Sequence, residues 1–245
     1  MVSERPLLLY LPGLDGTGKL FYRQEIHLAP YCDVVALSIP IDDLGDWQSL
    51  VVRVRELLPA DRRPVLLCGE SFGGCLALMS ALAYPEAFDA LVLVNPATAW
   101  RRQNWLVQGS HWLSLLPTVS LQVAALVFLP FLSAVNRLTP ADRRTLLATV
   151  RLVPRETILH RLQLLEQCNL DADLERLTLP VLLLGGRMDR LLPSLSETHF
   201  LEERLPNAQR EVLPHSGHAA LLDSDLNLAD YLLRHGLLPQ PAEAG

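Results

Sequence analysis

Six short strand-like runs, most of them apolar, fall near residues 7–11, 33–38, 64–69, 90–95, 180–185 and 209–213. Each is too short for an ordinary helix, and several are apolar at every position, as strands covered on both faces are. The intervening segments have helical character. One runs from Asp46 to Leu58, with Asp46 placed to cap its N-terminus. Strands alternating with helices predict an α/β architecture, a parallel sheet with right-handed crossovers, strand order 2-1-3-4-5-6 and helices on both faces. The interval between the fourth and fifth runs is far longer than a crossover needs. Within it, Leu146, Leu152, Ile158, Leu162 and Leu165 recur at helical spacing. This predicts a helical cap over residues 97–170, inserted into a core of residues 1–96 and 171–245.

The third run leads into Gly69-Glu70-Ser71-Phe72-Gly73, and a second apolar segment, Gly74 to Ala83, follows as a helix. A G-x-S-x-G pentapeptide between a strand and a helix is a nucleophile elbow. The turn is so tight that the positions two before and two after the serine must lack side chains. Gly69 and Gly73 meet that need, and Ser71 is expected in a strained conformation with its hydroxyl above the sheet.

A serine hydroxyl needs a base to take its proton and a third group to hold that base. Partners following an elbow come in the order acid, then histidine. Asp189 lies just beyond the fifth run, where doubly wound sheets carry functional groups. His215 and His218 follow the sixth, and His218 is the better base because Gly217 before it permits a close turn. Asp223 and Asp225 are rival acids, but both fall in or after the final helix.

An attacked carbonyl also needs two donors for its oxyanion. The N–H of Phe72, after the serine, is one; the N–H of Leu14, in the glycine-rich loop Leu11 to Gly18, is the other. The same loop does not suit phosphate, because its glycines match neither the dinucleotide nor the Walker spacing.

Composition narrows the class. Half of the 245 residues are hydrophobic and 20% are charged, which excludes disorder and suits one domain with a substantial core. The formal net charge is −6 and Lys19 is the only lysine, so no basic cluster suits nucleic acid. Cys32, Cys68, Cys75 and Cys168 have no metal-ligand spacing, and no metal or redox cofactor is implied. Cys68 and Cys75 read as small buried hydrophobes. Arg5 and Pro6 lead straight into the first strand without a signal peptide, which makes the cytoplasm the default location.

The cap begins with an unusual stretch. No Asp, Glu, Lys or Arg occurs between Arg102 and Arg137, and Trp100, Trp105 and Trp112 cluster at its start. Pro117, Pro130 and several polar residues argue against one membrane span. Ordinary packing of the cap on the core is one reading. Another is an apolar lid that lines a long acyl pocket, with Trp105, Trp112, Leu126 and Phe128 as substrate contacts, or that rests on a bilayer through its tryptophans.

Four motifs carry a family resemblance: Leu11 to Gly18, Gly69 to Ala77, Leu93 to Thr98, and Asp189 to Ser194. In order and spacing they resemble the hydrolase part of the phytyl ester synthase family, of the α/β-hydrolase superfamily. The resemblance runs from the first strand to His218. It implies an α/β-hydrolase fold with a mostly parallel six-stranded sheet, and an enzyme that moves fatty acyl groups from acyl carriers or lipids onto phytol or diacylglycerol. It implies a thylakoid location if the source is a phototroph. Plant members carry a further acyltransferase-like domain that this chain, ending at Gly245, is expected to lack.

The expected chemistry is an acyl-enzyme on Ser71, with His218 as base, Asp189 as its orienting acid, and transfer of the acyl group to water or a lipophilic alcohol. Two alternatives remain: a hydrolase of small esters, and a catalytically idle receptor of the same fold.

Overall fold

The computed structural model of the protein describes residues 5–115 and 137–240. Six strands form one sheet: β1 (Leu7–Leu11), β2 (Asp33–Ala36), β3 (Val65–Glu70), β4 (Ala90–Val94), β5 (Val181–Gly186) and β6 (Ala208–Leu213). Their order is β2-β1-β3-β4-β5-β6, and every pairing is parallel. The predicted sheet is the observed one.

Alternation along the strands divides the core in two. Leu9, Leu11, Leu67, Leu91, Leu93 and Leu183 face a layer holding α2 (Trp47–Glu56), α3 (Phe72–Ala83) and α7 (Ser194–Arg204). Leu8, Tyr10, Leu66, Cys68, Val92 and Leu182 face α1 (Tyr22–Leu28) and α8 (Leu228–Arg234) on the other side. Asp46 caps α2 as expected, accepting the Ser49 N–H at 2.8 Å. The loop after β6 differs from expectation. It makes one 3-10 turn at Ala220–Leu222, and α8 begins only after the Asn227 cap, so Asp223 and Asp225 precede the last helix.

Between β4 and β5 lie α4 (Asn104–Leu115), α5 (Pro140–Leu152) and α6 (Arg155–Gln167). Thr139 and Asp142 form a capping box at the start of α5, with Pro140 in the first turn. Asp142 also binds Arg23 of α1 at 2.6 Å, which ties the insert to the core. Arg102, at the insert's base, grips the buried Glu197 of α7. The Trp47 indole N–H donates to the Leu164 carbonyl at 2.9 Å. Leu146, Leu162 and Leu165 are buried as their spacing predicts, whereas Leu152 is exposed. The buried face of α5 runs through Asp142, Leu146 and Thr149, and a period of 3.6 carries it on to Val153 instead. Among the described residues no helix is long and apolar enough to cross a membrane.

Candidate active site

Ser71 sits between β3 and α3 at φ 53 and ψ −115. A serine rarely adopts this conformation, which costs on the order of 1–3 kcal/mol and persists only where the surroundings enforce it. Here the Ser71 N–H donates to the Val94 carbonyl at 3.0 Å, and its carbonyl accepts from Gly74 and Ala97 at 2.9 and 3.0 Å. The glycines are obligatory for the reason the sequence suggested. A Cβ on Gly69 would overlap the Gly73 carbonyl, and one on Gly73 would overlap that of Leu11.

The loop after β6 brings His218 over the serine. Its Nε2 is 2.9 Å from Ser71 Oγ, and its Nδ1 is 2.8 Å from Asp189 Oδ2. An ionised Asp189 keeps the ring proton on Nδ1, leaving Nε2 to accept from the serine hydroxyl. Asp189 follows β5, and its side chain is fully enclosed. Its Oδ1 accepts the N–H groups of Leu191 and Leu192 at 2.8 and 3.0 Å, and its Oδ2 also accepts the Ser194 hydroxyl. Burial works against its charge, but the His218 charge and these hydrogen bonds hold its pKa below the usual carboxylate range. Burial likewise opposes the imidazolium, and the charges of Asp189 and Glu70 outweigh it, raising the His218 pKa. The rival base His215 is exposed, and Asp225 is engaged with Arg137 at the surface.

Two residues that sequence reasoning gave no role hold this arrangement. Asn95, fully buried after β4 at φ 44, donates through Nδ2 to the carbonyls of Gly217 and His218 at 2.9 and 2.8 Å. Its Oδ1 accepts the Gly186 N–H at 2.7 Å, so one amide pins the histidine loop to the end of β5. The only signal was a polar residue directly after an apolar strand. Glu70, beside the nucleophile, is buried and accepts the Tyr10 hydroxyl at 2.8 Å. Burial pushes its pKa up to about 7, against the pull of the Tyr10 hydrogen bond and the His218 charge.

The loop after β1 lies against the elbow: a Cβ on Gly13 would sit 3.8 Å from that of Ser71. The Gly13 carbonyl accepts the Gly16 N–H at 3.0 Å. Carbonyl and N–H point opposite ways in a trans peptide, so the Leu14 N–H is turned out of the loop. The Phe72 N–H opens α3, where helices leave donors free. Among the described residues neither group donates to a backbone carbonyl. Ser71, Asp189, His218, Leu14 and Phe72 thus gather at the carboxyl end of the sheet, where open α/β sheets bind ligands.

The cap residues fare differently. Trp105, on α4, is 57% exposed, whereas Trp100 is buried in the core and is not free to meet a bilayer. The side chain of Trp112, and both Leu126 and Phe128, lie outside the described residues. Among the described residues no three side chains form a metal-binding cluster.

The pattern of the serine aminopeptidase S33 family, Hydrolase_4, matches residues 41–225. The chain is 29% identical over 255 residues to phytyl ester synthase 1 of Arabidopsis thaliana, covering 93% of this chain and 36% of that protein. It therefore spans about a third of that relative's length. It is 27% identical over 248 residues to a Pseudomonas savastanoi protein assigned as the carbamate hydrolase RutD, covering 94% and 93% of the two. In structure it is similar to an esterase from Exiguobacterium antarcticum, with a TM-score of 0.80 at 17% identity over 96% of this chain and 92% of the other. The fold, the elbow and the matched span agree: the chain belongs to the serine aminopeptidase S33 family, within the α/β-hydrolase superfamily.

Proposed function

We propose that this protein is a serine acyl hydrolase or acyltransferase that forms an acyl-enzyme on Ser71 from medium- or long-chain fatty acyl esters or thioesters. The observation that carries this reading is the hydrogen-bonded line from Ser71 Oγ through His218 to the enclosed Asp189. His218 takes the serine proton as Oγ attacks the carbonyl, while Asp189 stabilises the imidazolium. The N–H groups of Leu14 and Phe72 receive the oxyanion. Collapse of the tetrahedral intermediate expels the alcohol or thiol, which leaves with the His218 proton. A water or an alcohol then repeats the sequence in reverse. No metal or cofactor enters these steps.

Residues 97–170 act in this reading as a cap over the site, and the uncharged span from Gln103 to Asn136 supports an apolar acyl group. Likeness to phytyl ester synthase 1 supports a lipophilic alcohol such as phytol as an acceptor, and the exposed Trp105 supports peripheral contact with a membrane through the cap. Likeness to RutD over nearly its whole length favours a second reading, hydrolysis of a small substrate alone. Hydrolysis of p-nitrophenyl esters from acetyl to palmitoyl, with and without phytol in detergent, separates them. Best turnover of octanoyl or longer esters, with phytyl ester formed, supports the first; best turnover of acetyl esters supports the second. Turnover that survives Ser71→Ala would overturn both.

A further inference from the structure

The Arg161 guanidinium is buried at the middle of α6, with 1% of the residue exposed. Other arginines that join the insert to the core do so through carboxylates, Arg23 with Asp142 and Arg102 with Glu197. Arg161 instead gives its hydrogen bonds to backbone carbonyls. Nη1 donates to the Leu14 carbonyl at 2.7 Å and Nη2 to the Pro40 carbonyl at 3.1 Å. Its face lies so close to Gly16 that a Cβ there would come within 2.5 Å of Nη1 and 2.9 Å of Cζ. Gly16 also has φ +71, so both its conformation and its contact exclude a side chain. Among the described residues no carboxylate contacts the charge; Asp15 and Asp43 act on it through space, and burial leaves its pKa below the usual value.

Burying a guanidinium is costly unless its donors are used well. Here they bridge the loop after β1 to the segment after β2, at the residue whose N–H is turned out of the loop. The Leu14 carbonyl is held by Arg161, and the peptide before it is held by the Gly13–Gly16 turn. Both flanks of the Leu14 N–H are thereby set, one of them by a side chain of the insert.

We propose that Arg161 is a positioning residue: through the Leu14 carbonyl it sets the direction of the Leu14 N–H toward the oxyanion, and so couples the insert to the chemistry at Ser71. This rests on the acyl-enzyme reading above. Displacing a donor costs less than deleting one, so Arg161→Met should lower kcat about 10- to 100-fold. The ground-state substrate does not use the oxyanion donor fully, so KM should change less than about twofold.

The test uses the full chain, a p-nitrophenyl octanoate assay and an octyl trifluoromethyl ketone. The ketone adds to Ser71 Oγ and leaves an alkoxide in the oxyanion position. Arg161→Met should weaken the ketone by the factor lost from kcat. Arg161→Lys, which retains a charge but cannot bridge two carbonyls in the same way, should show a smaller loss of both. Thermal melts establish folding of both variants. Unchanged kcat in folded Arg161→Met, or a kcat loss without loss of ketone affinity, would overturn the proposal and leave the acyl-enzyme reading intact. Failure of a fluorophosphonate to label Ser71 in the wild-type protein would overturn both.

Discussion

Replacing Glu70 with glutamine should change stability in opposite directions at acid and alkaline pH. Glu70 is buried beside the loop after β6, with 8% of the residue exposed, and its pKa stands at about 7 against an ordinary 4.5. Between those values the native state keeps a proton that the unfolded chain has released. Stability therefore falls with rising pH across this window, by about 1.4 kcal/mol per pH unit and about 3 kcal/mol in all. Glu70→Gln removes that dependence and can still accept the Tyr10 hydroxyl. Its amide nitrogen would then face the Leu221 N–H, which now donates weakly to the second carboxylate oxygen at 3.5 Å. That mismatch costs about 1 kcal/mol at every pH. The variant should be less stable than wild type by about 1 kcal/mol near pH 4.5 and more stable by about 2 kcal/mol at pH 8. Urea titrations at the two pH values measure this directly. In thermal melts, a chain of this size should shift by about 2–4 °C per kcal/mol. Glu70 also helps to hold the His218 pKa up, so the acid limb of kcat/KM should move to lower pH in the same variant. A stability difference that stays constant from pH 4.5 to pH 8 would refute the reasoning, because Glu70 would then titrate like an exposed carboxylate.

A fluorophosphonate should label Ser71 alone, and Ser71→Ala should lose both labelling and turnover. His218→Ala should lose about three orders of magnitude or more in kcat, whereas His215→Ala should stay near wild type, as measured on the same ester. Asn95→Ala deletes three buried hydrogen bonds and should cost about 3 kcal/mol in a urea titration, with a fall in kcat as the His218 loop loosens. Burying a methylene is worth about 0.8 kcal/mol, or about fourfold, so octanoyl esters should exceed acetyl esters in kcat/KM by about 100-fold or more even with incomplete burial; acetyl preference would refute the apolar pocket.

The parts of this fold that were legible in the sequence are those with local causes. The central strands, covered on both faces, are apolar throughout, and all six strands, the more polar β2 and β6 at the edges included, lie within about two residues of their expected bounds. The elbow was legible because its steric demand falls on two named positions, Gly69 and Gly73, and no other residue meets it. Asp189 and His218 followed from chain order and strand ends, which the parallel sheet converts into one edge. The helical spacing of α5 was read one residue off at its end, where Val153 takes the inward place given to Leu152. Trp100 was grouped with Trp105 by proximity in sequence, yet one is buried and the other exposed, because the 3-10 turn at Ala97–Arg102 packs on α3 while α4 faces outward at Trp105.

What escaped the sequence is the set of side chains that act on backbone atoms far along the chain. Asn95 meets carbonyls 122 and 123 positions away, and Arg161 reaches a carbonyl 147 positions away. Neither the acceptor nor its direction has any signature in residue type, since every residue carries a carbonyl. A carboxylate partner leaves a charge to be noticed; a backbone partner leaves nothing. Yet these bonds have the firmer hold on geometry, because a carbonyl in a loop can be aimed only by what donates to it. In the acyl-enzyme reading the serine, histidine and aspartate supply the chemistry that the sequence announces. Asn95 holds the carbonyls of the His218 loop and Arg161 holds the Leu14 carbonyl, and in the reading proposed above these bonds aim His218 and the Leu14 N–H at the substrate. A search for activity-changing substitutions in this chain should therefore begin with those two positions and not with the apolar strands.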